Sequence, residues 1–341
     1  MPKSKASAIP QRAEIRVDFV HDRQVIIAPS RGRRPHDPEF LPPTQPPPIP
    51  PDQDAFSRER LRHVRALLTI GGQRAWRVKV IHNLFPVVTP DNPKAYGYQE
   101  VVIETPVYGI DISALPENHV ADIIRAYAQR ARALQRDKRI RYILVFKNNG
   151  GRAGATINHA HSQIFSSAYV PPHIILRRKR AQEYRIIHNT DYYNDLLVKE
   201  EGGPRWIASG NYVCALTPYA SLYNYEAWIM PWRRVDNVGQ LSGHEIREMA
   251  NYLKALLSRL YTAGLPYNFY LHQVVGDQTE HLYLRIAPRR DVWAGLELGS
   301  RLVINTVPPE EAAVFYRSAF SRRQQAVAGP SAAGSTRSKK S

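Results

Sequence analysis

Three side chains at alternate positions, His159, His161 and Gln163 in NHAHSQI, are the part of the chain best suited to chemistry. In an extended strand, side chains two apart share a face, so both imidazoles and the amide would point the same way; on a helix they would diverge. Histidine suits attack on phosphorus. Near neutral pH a useful fraction is unprotonated, and one ring nitrogen can attack while the other donates the proton that fixes the ring. The product would be a phosphoramidate on His161. The leaving group of a phosphate ester or pyrophosphate is already a stable anion, so such a site needs charge stabilisation more than a strong general acid. Gln163 can donate a hydrogen bond without moving a proton, which favours transfer. A third histidine there could instead supply the proton that hydrolysis requires. The spacing alone does not choose among structural, metal-binding and nucleophilic roles.

Immediately upstream, the turn GGRAG can aim backbone N–H groups at anionic oxygens, and Asn148, Arg152 and Thr156 lie close by in sequence. Local pattern predicts the elements that must hold these groups. EIRVDFVHDRQVIIAP is a hairpin around a polar HDRQ turn. A proline-crowded segment, 35–52, cannot sustain regular structure because proline removes backbone donors and fixes φ. A helix-like stretch with Leu61, Val64 and Leu67 leads to the strand WRVKVIHNLFPVVTP, which ends at an NxFP turn, and then to a second strand, YQEVVIETP. NHVADIIRAYAQRARALQRDK is an amphipathic helix with Val120, Ile123, Ile124, Tyr127, Ala131 and Leu134 on one face. The strands RYILVFKNN and TINHAHSQIF follow, joined by the glycine turn.

The second half repeats the order. NYVCALTP and YNYEAWIMP read as strands, and SGHEIREMANYLKALLSRLY as a helix opened by the capping-box pair Ser242 and Glu245; YNFYLHQV and HLYLRIAP are again strands. EVVIETP…helix…ILVFKNN…INHAHSQI lines up with EAWIMP…helix…YNFYLHQ…HLYLRIAP, an internal duplication. The expected fold is α+β, with two related halves, each a mainly antiparallel sheet with packed helices. The expected division is a flexible arm over 1–14, a catalytic half over 15–170, a second half over 171–320 and a disordered basic tail over 321–341.

Composition narrows the class. The 341 residues are 43% apolar and 23% charged, as in a folded soluble protein. No run approaches the roughly 20 apolar residues of a membrane span, and MPKSKASAIPQRAE lacks a secretion-type apolar stretch, so a cytoplasmic location is expected. A single cysteine, Cys214, excludes an internal disulfide and a multi-cysteine zinc site within one chain. The net charge of +17 draws phosphate-bearing partners, and the basic tail suits nonspecific contact with nucleic acid.

Several segments, in order, resemble the galactose-1-phosphate uridylyltransferase family of the histidine-triad superfamily. They are VIIAPSRGRRP, WRVKVIHNLFPVVTP, EVVIETPVYGIDISALP, VFKNNGGRAGATINHAHSQI, YEAWIMP, HLYLRIAP and GLELGSRLVINTVPPEEA, across roughly residues 16 to 315. The resemblance implies a histidine-triad-like fold and a ping-pong nucleotidyltransferase that carries UMP or AMP on His161 between a nucleotide sugar and a sugar 1-phosphate or phosphate. It makes Gln163 the contact to the transferred phosphate and His159 a brace, and sets Asn148, Gly154 and Thr156 at phosphate oxygens. Arg31 and Arg34 match arginines near the phosphates, Asn83 and Phe85 in HNLFP fall in the nucleotide-binding loop, and Glu297 and Asn305 match the sugar side. Each has a plainer reading: surface charge for the arginines, a turn for Asn83, core packing for Phe85. Relatives commonly pair, so a homodimer is expected.

Departures from the family are equally specific. Its CxxC zinc pair is missing, with PPPIPPDQDAF in that region, and Tyr108 replaces the usual histidine in ETPVY. One histidine, His159, cannot make a four-ligand zinc site. HLYLRIAP carries Arg285 and Ala287 where a second family metal site has histidines, leaving His272 and His281, so no metal and no cofactor are expected. IETPVY, HAHSQI and ELGSRLVINTVPPEEA are also similar to relatives that phosphorolyse ADP-glucose, which leaves uridine and adenine both open. Two further readings compete: dinucleoside polyphosphate phosphorolysis or hydrolysis, and a non-catalytic nucleotide- or nucleic-acid-binding module.

Overall fold

In the computed structural model, residues 12–33, 50, 52–72, 75–277 and 279–321 are described. Most of the expected N-terminal arm, most of the proline-rich segment, Arg34 and the basic tail from residue 322 lie outside these.

The alternating segments pair as their periodicity requires. The opening hairpin is β1 (Glu14–Asp18) with β2 (Arg23–Ile27), and the chain then makes a 3-10 turn, Pro29–Arg33. Next come β3 (Leu68–Gly71), β4 (Trp76–His82), β5 (Gly97–Ile103), the helix α1 (Glu117–Leu134), β6 (Tyr142–Asn149) and β7 (His161–Ser167). Two helices, α2 (Pro172–His188) and α3 (Tyr192–Glu200), precede β8 (Trp206–Ser209), β9 (Val213–Leu216) and β10 (Ala227–Pro231). The chain ends with α4 (Gly243–Thr262), β11 (Tyr267–His272), β12 (Tyr283–Pro288), α5 (Gly295–Ser300), β13 (Val303–Asn305) and α6 (Pro309–Arg317).

Ten strands form one sheet in the order β3-β4-β5-β7-β6-β11-β12-β10-β9-β8, while β1, β2 and β13 form a small second sheet. Read from its two edges inward, the large sheet gives the same series twice: three meander strands, then a swapped pair, with one helix between the third and fourth strands of each set. This is the expected α+β fold, with β6 and β11 joined by antiparallel pairing from Tyr267↔Asn149 to Tyr270↔Phe146, so the halves share one continuous sheet.

One face of that sheet carries α1 and α4. Val120, Ile123 and Tyr127 of α1 and Ile246, Leu253 and Leu256 of α4 pack with Val102, Val145, Ile164, Phe269 and Leu284 in a single core. Each such side chain contributes about 1.5–3 kcal/mol on full burial. The Ser242–Glu245 capping box closes the first turn of α4 as the spacing predicts. The opposite face holds the polar groups considered next.

Two local expectations fail. The stretch with Leu61, Val64 and Leu67 is a 3-10 turn over Arg60–Arg62 that leads into β3. Leu61 packs with Phe56, Trp76, Ile81, Val101 and Ile103, so tertiary burial and not a helix explains its apolar character. The helices α2 and α3 went unread because α2 buries only Ile174, Arg177 and Ala181, and one of those three is charged.

Candidate active site

His161 opens β7 beside Ile103 of β5, and Gln163 follows on the same face beside Val101. Ser162 and Ile164 point the other way, into the helix-covered core. His159 departs from the expected shared face, because it lies in a bend before the strand and is fully buried. Its Nδ1 stands 2.8 Å from Asp54 Oδ2 and its Nε2 2.7 Å from the Thr105 carbonyl. The ring is therefore an anchor for this bend.

That anchor acts on His161 through the main chain. His161 Nδ1 lies 2.8 Å from the carbonyl oxygen of His159, an acceptor only, so Nδ1 carries the proton. Nε2 then holds the lone pair. Burial pushes the His161 pKa below the usual imidazole value, against the opposing hydrogen bond to the His159 carbonyl. The Phe56 ring sits edge-on 5.3 Å from the His161 ring and 5.8 Å from that of His159, forming the apolar wall.

Gln163 is set by neighbours that its own motif does not reveal. Its Oε1 accepts from Gln99 Nε2 at 2.7 Å and from Asn83 Nδ2 at 3.4 Å, which turns the amide NH2 away to donate elsewhere. Asn83 Oδ1 accepts from the Phe85 backbone at 2.9 Å, shaping the HNLFP turn. Phe85 is 88% exposed, which excludes the core reading.

Beneath β7, on the helix side, a polar cluster is fully enclosed. Lys147 Nζ donates to Glu104 Oε2 at 2.6 Å and to the His161 carbonyl at 3.3 Å; Tyr127 Oη contacts Ser162 Oγ at 2.7 Å and donates to Glu104 Oε1 at 3.3 Å. Desolvation raises the Glu104 pKa, and Lys147 opposes that shift. Asp54, Gln99, Glu104 and Lys147 were missed in the sequence. A signal existed for two of them, since Glu104 ends one apolar strand and Lys147 interrupts another.

The glycine turn corrects an expectation. Gly150 and Gly154 have positive φ, 84° and 83°, as a tight reversal demands. The N–H groups of Ala153 and Ala155 bond to the Gly150 carbonyl, and that of Gly154 to Gly151. These three donors close a 3-10 turn and are not aimed at a ligand. Asn148 Oδ1 is taken by Asn268 Nδ2 at 2.8 Å, and the same amide donates to the Ala153 carbonyl. A Cβ on Gly154 would stand 3.9 Å from Asn148 Nδ2, so these two predicted residues are neighbours. Thr156 and Arg31 are exposed.

The two sugar-side candidates are placed differently. Asn305 is fully buried; its amide donates to the Ser221 and Tyr223 carbonyls and its Oδ1 accepts from Val307, so it braces loops. Glu297 lines a cavity with His21, Arg23 and Arg285, in the other half from His161.

The described histidines of the two expected metal regions have other partners. Both His159 nitrogens are engaged, and in the second half His281 Nε2 faces the Pro231 carbonyl at 2.9 Å while its Nδ1 accepts from Val235 at 3.3 Å. Among the described residues no three His, Cys, Asp or Glu side chains are grouped to hold one.

Residues 87–171 match the family described as galactose-1-phosphate uridyl transferase, N-terminal domain. The chain is 28% identical to ADP-glucose phosphorylase of Arabidopsis thaliana over 334 residues, 90% of this chain and 93% of that one. It is 27% identical to galactose-1-phosphate uridylyltransferase of Thermotoga maritima over 235 residues, 64% and 72% of the two chains. The crystal structure of the Arabidopsis ADP-glucose phosphorylase with bound ADP-glucose is similar with a TM-score of 0.78 and 27% identity, covering 89% of this chain and 98% of that one.

Proposed function

We propose that the chain, a nucleotidyltransferase similar to the galactose-1-phosphate uridylyltransferase family, works by a covalent nucleotidyl-His161 intermediate. The observation that carries this reading is the 2.8 Å contact from His161 Nδ1 to the His159 carbonyl, which leaves Nε2 as the attacking atom.

Nε2 attacks the nucleotide-bearing phosphorus of a nucleotide sugar. The P–N bond forms, the P–O bond to the sugar 1-phosphate breaks, and the sugar 1-phosphate leaves as an anion that needs no proton. An incoming sugar 1-phosphate or inorganic phosphate then attacks the same phosphorus through oxygen, the P–N bond breaks, and His161 is restored. Gln163 donates its free amide hydrogens to the transferred phosphate, Asn83 and Phe85 flank the nucleotide, and Asn148, Gly154 and Thr156 border its phosphates. Arg31, exposed on its turn, serves phosphate in the same chain or across a homodimer. We place the covalent step in the half spanning 15–170.

A second reading of the acceptor is phosphate rather than a hexose phosphate, with ADP-glucose as donor. It is favoured by similarity to the Arabidopsis phosphorylase over nine-tenths of the chain. Initial rates against UDP-glucose and ADP-glucose, each with galactose 1-phosphate or inorganic phosphate, test both. Parallel double-reciprocal plots for one donor–acceptor pair are expected. Intersecting plots for every pair would exclude the ping-pong route.

A further inference from the structure

A side-chain amide donates from one end and accepts at the other, so the orientation of Gln163 decides whether it attracts or repels a phosphate oxygen. A main-chain N–H can only donate, and two of them fix that orientation from a distance. The Val87 N–H donates to Gln99 Oε1 at 2.9 Å. This turns the Gln99 amide nitrogen toward Gln163, where it donates to Oε1 at 2.7 Å. In parallel, the Phe85 N–H donates to Asn83 Oδ1 at 2.9 Å, and Asn83 Nδ2 donates to the same Gln163 oxygen at 3.4 Å. Both chains end on Gln163 Oε1 and occupy its two lone pairs. The link through Gln99 is the stronger, because its length falls in the usual N–H···O range and that of Asn83 lies beyond it.

Strand register puts Gln99 in place. It stands two residues before Val101, which lies opposite Gln163, so it shares the face of Gln163 and is its diagonal neighbour. Glu100, between them, is turned to the helix side and pairs with Arg130 of α1 at 2.6 Å. The turn that joins β4 to β5 is tied to this strand at both ends. At one end the Asn83 N–H donates to the Gln99 carbonyl at 2.9 Å. At the other, Val88 packs so close to Gly97 that a Cβ there would stand 2.9 Å from Val88 Cγ2. Between these ties Leu84, Phe85 and Val87 are 79%, 88% and 70% exposed. The tip is therefore held by its main chain, through Gln99 and Asn83, and not by burial of its side chains.

We infer that Gln99 is a positioning residue, which passes the direction of the Val87 N–H to Gln163 and keeps the Gln163 NH2 turned toward the transferred phosphate. This rests on the reading of His161 as nucleophile and Gln163 as the phosphate contact, and adds the group that orients the second. The polarity of Gln163 then depends on how the turn that flanks the nucleotide is seated.

Two variants of the full chain separate direction from packing, with adduct formation from UDP-glucose and ADP-glucose followed by mass in single-turnover mode. Gln99→Leu keeps a side chain of similar size and removes the donor, which leaves Gln163 free to turn. The step should slow about tenfold, the scale of one hydrogen bond. Gln99→Glu keeps the shape and the bond from Val87 but offers Gln163 only acceptors. The Gln163 amide should then reverse and set its oxygen against the phosphate, slowing the step about a hundredfold, as loss of an oxyanion donor does. The loss should fall on kcat, with the donor KM within about twofold of wild type. A packing role predicts the opposite order, since the isosteric change disturbs least. Gln99→Glu as fast as Gln99→Leu, or faster, would overturn the inference.

The pH dependence adds a second signature. Below about pH 5 the introduced carboxyl regains a proton that it can donate to Gln163, so the deficit of Gln99→Glu relative to wild type should shrink there. A deficit constant with pH would contradict the inference. If Gln99→Glu does not fold, Gln99→Leu decides alone, and a rate equal to that of wild type overturns the role. A wild-type adduct with the wrong order of variants sinks this inference only, whereas no wild-type adduct sinks the covalent reading with it.

Discussion

At the scale of single residues the proposed chemistry depends on which nitrogen of His161 is free. The His159 carbonyl settles this by holding Nδ1–H, and burial holds the ring neutral by lowering its pKa. In the proposed step the attacking form is the unprotonated one. A depressed pKa keeps that form populated below the pH at which an ordinary imidazole, with a pKa of about 6.5, is half protonated. The rate of adduct formation should therefore be level through neutral pH and decline only on the acid side of about 6.5. A pH series in single-turnover mode checks this, and an inflection at or above 7 would be inconsistent with it. The shared face of His161 and Gln163 was readable because a period of two has one geometric meaning in a strand, but His159 falls in the bend before it and was misplaced. Asp54 and Gln99 were not readable, since their partners lie 105 and 64 positions away and only the fold joins them.

At the scale of elements, β7 is fixed from below by Lys147 on β6, which meets both Glu104 and the His161 carbonyl. Removing one partner of a buried ion pair strands the other without water. Lys147→Met should cost about 3–5 kcal/mol of stability, whereas replacing Lys147 and Glu104 together by apolar residues should cost less. Denaturant unfolding of the single and double variants measures the difference; equal losses would show that the pair is not coupled. The strands β4–β7 and β9–β12 and the helices α1 and α4 were legible because their apolar periodicity matches the face they bury. The glycine turn was misjudged because sequence shows which residues can reverse the chain but not where their N–H groups end up. The helices α2 and α3 lacked a clear apolar stripe, so nothing marked them.

At the scale of the molecule, duplication was legible as a repeated order of segments, but the merging of both halves into one sheet was not. That merger depends on pairing between β6 and β11, which are more than a hundred residues apart. The whole fold also carries buried neutral histidines in its second half. His281 accepts from Val235 and faces the Pro231 carbonyl, and burial pushes its pKa down to about 4. Its folded value lies below the unfolded one, so the unfolded chain takes up a proton first as pH falls. Stability should decline between about pH 6.5 and 4 by about 3 kcal/mol from this residue alone. His281→Gln should flatten that part of the curve, measured by denaturant midpoints across the range; an unchanged slope would assign the acid sensitivity elsewhere.

The covalent step itself is open to direct weighing. Intact-protein mass spectrometry after brief incubation with UDP-glucose or ADP-glucose should show the wild-type chain heavier by one nucleoside monophosphate, and His161→Asn unchanged in mass. An adduct of equal yield on His161→Asn, or none on the wild type with a donor that it turns over, would contradict the account.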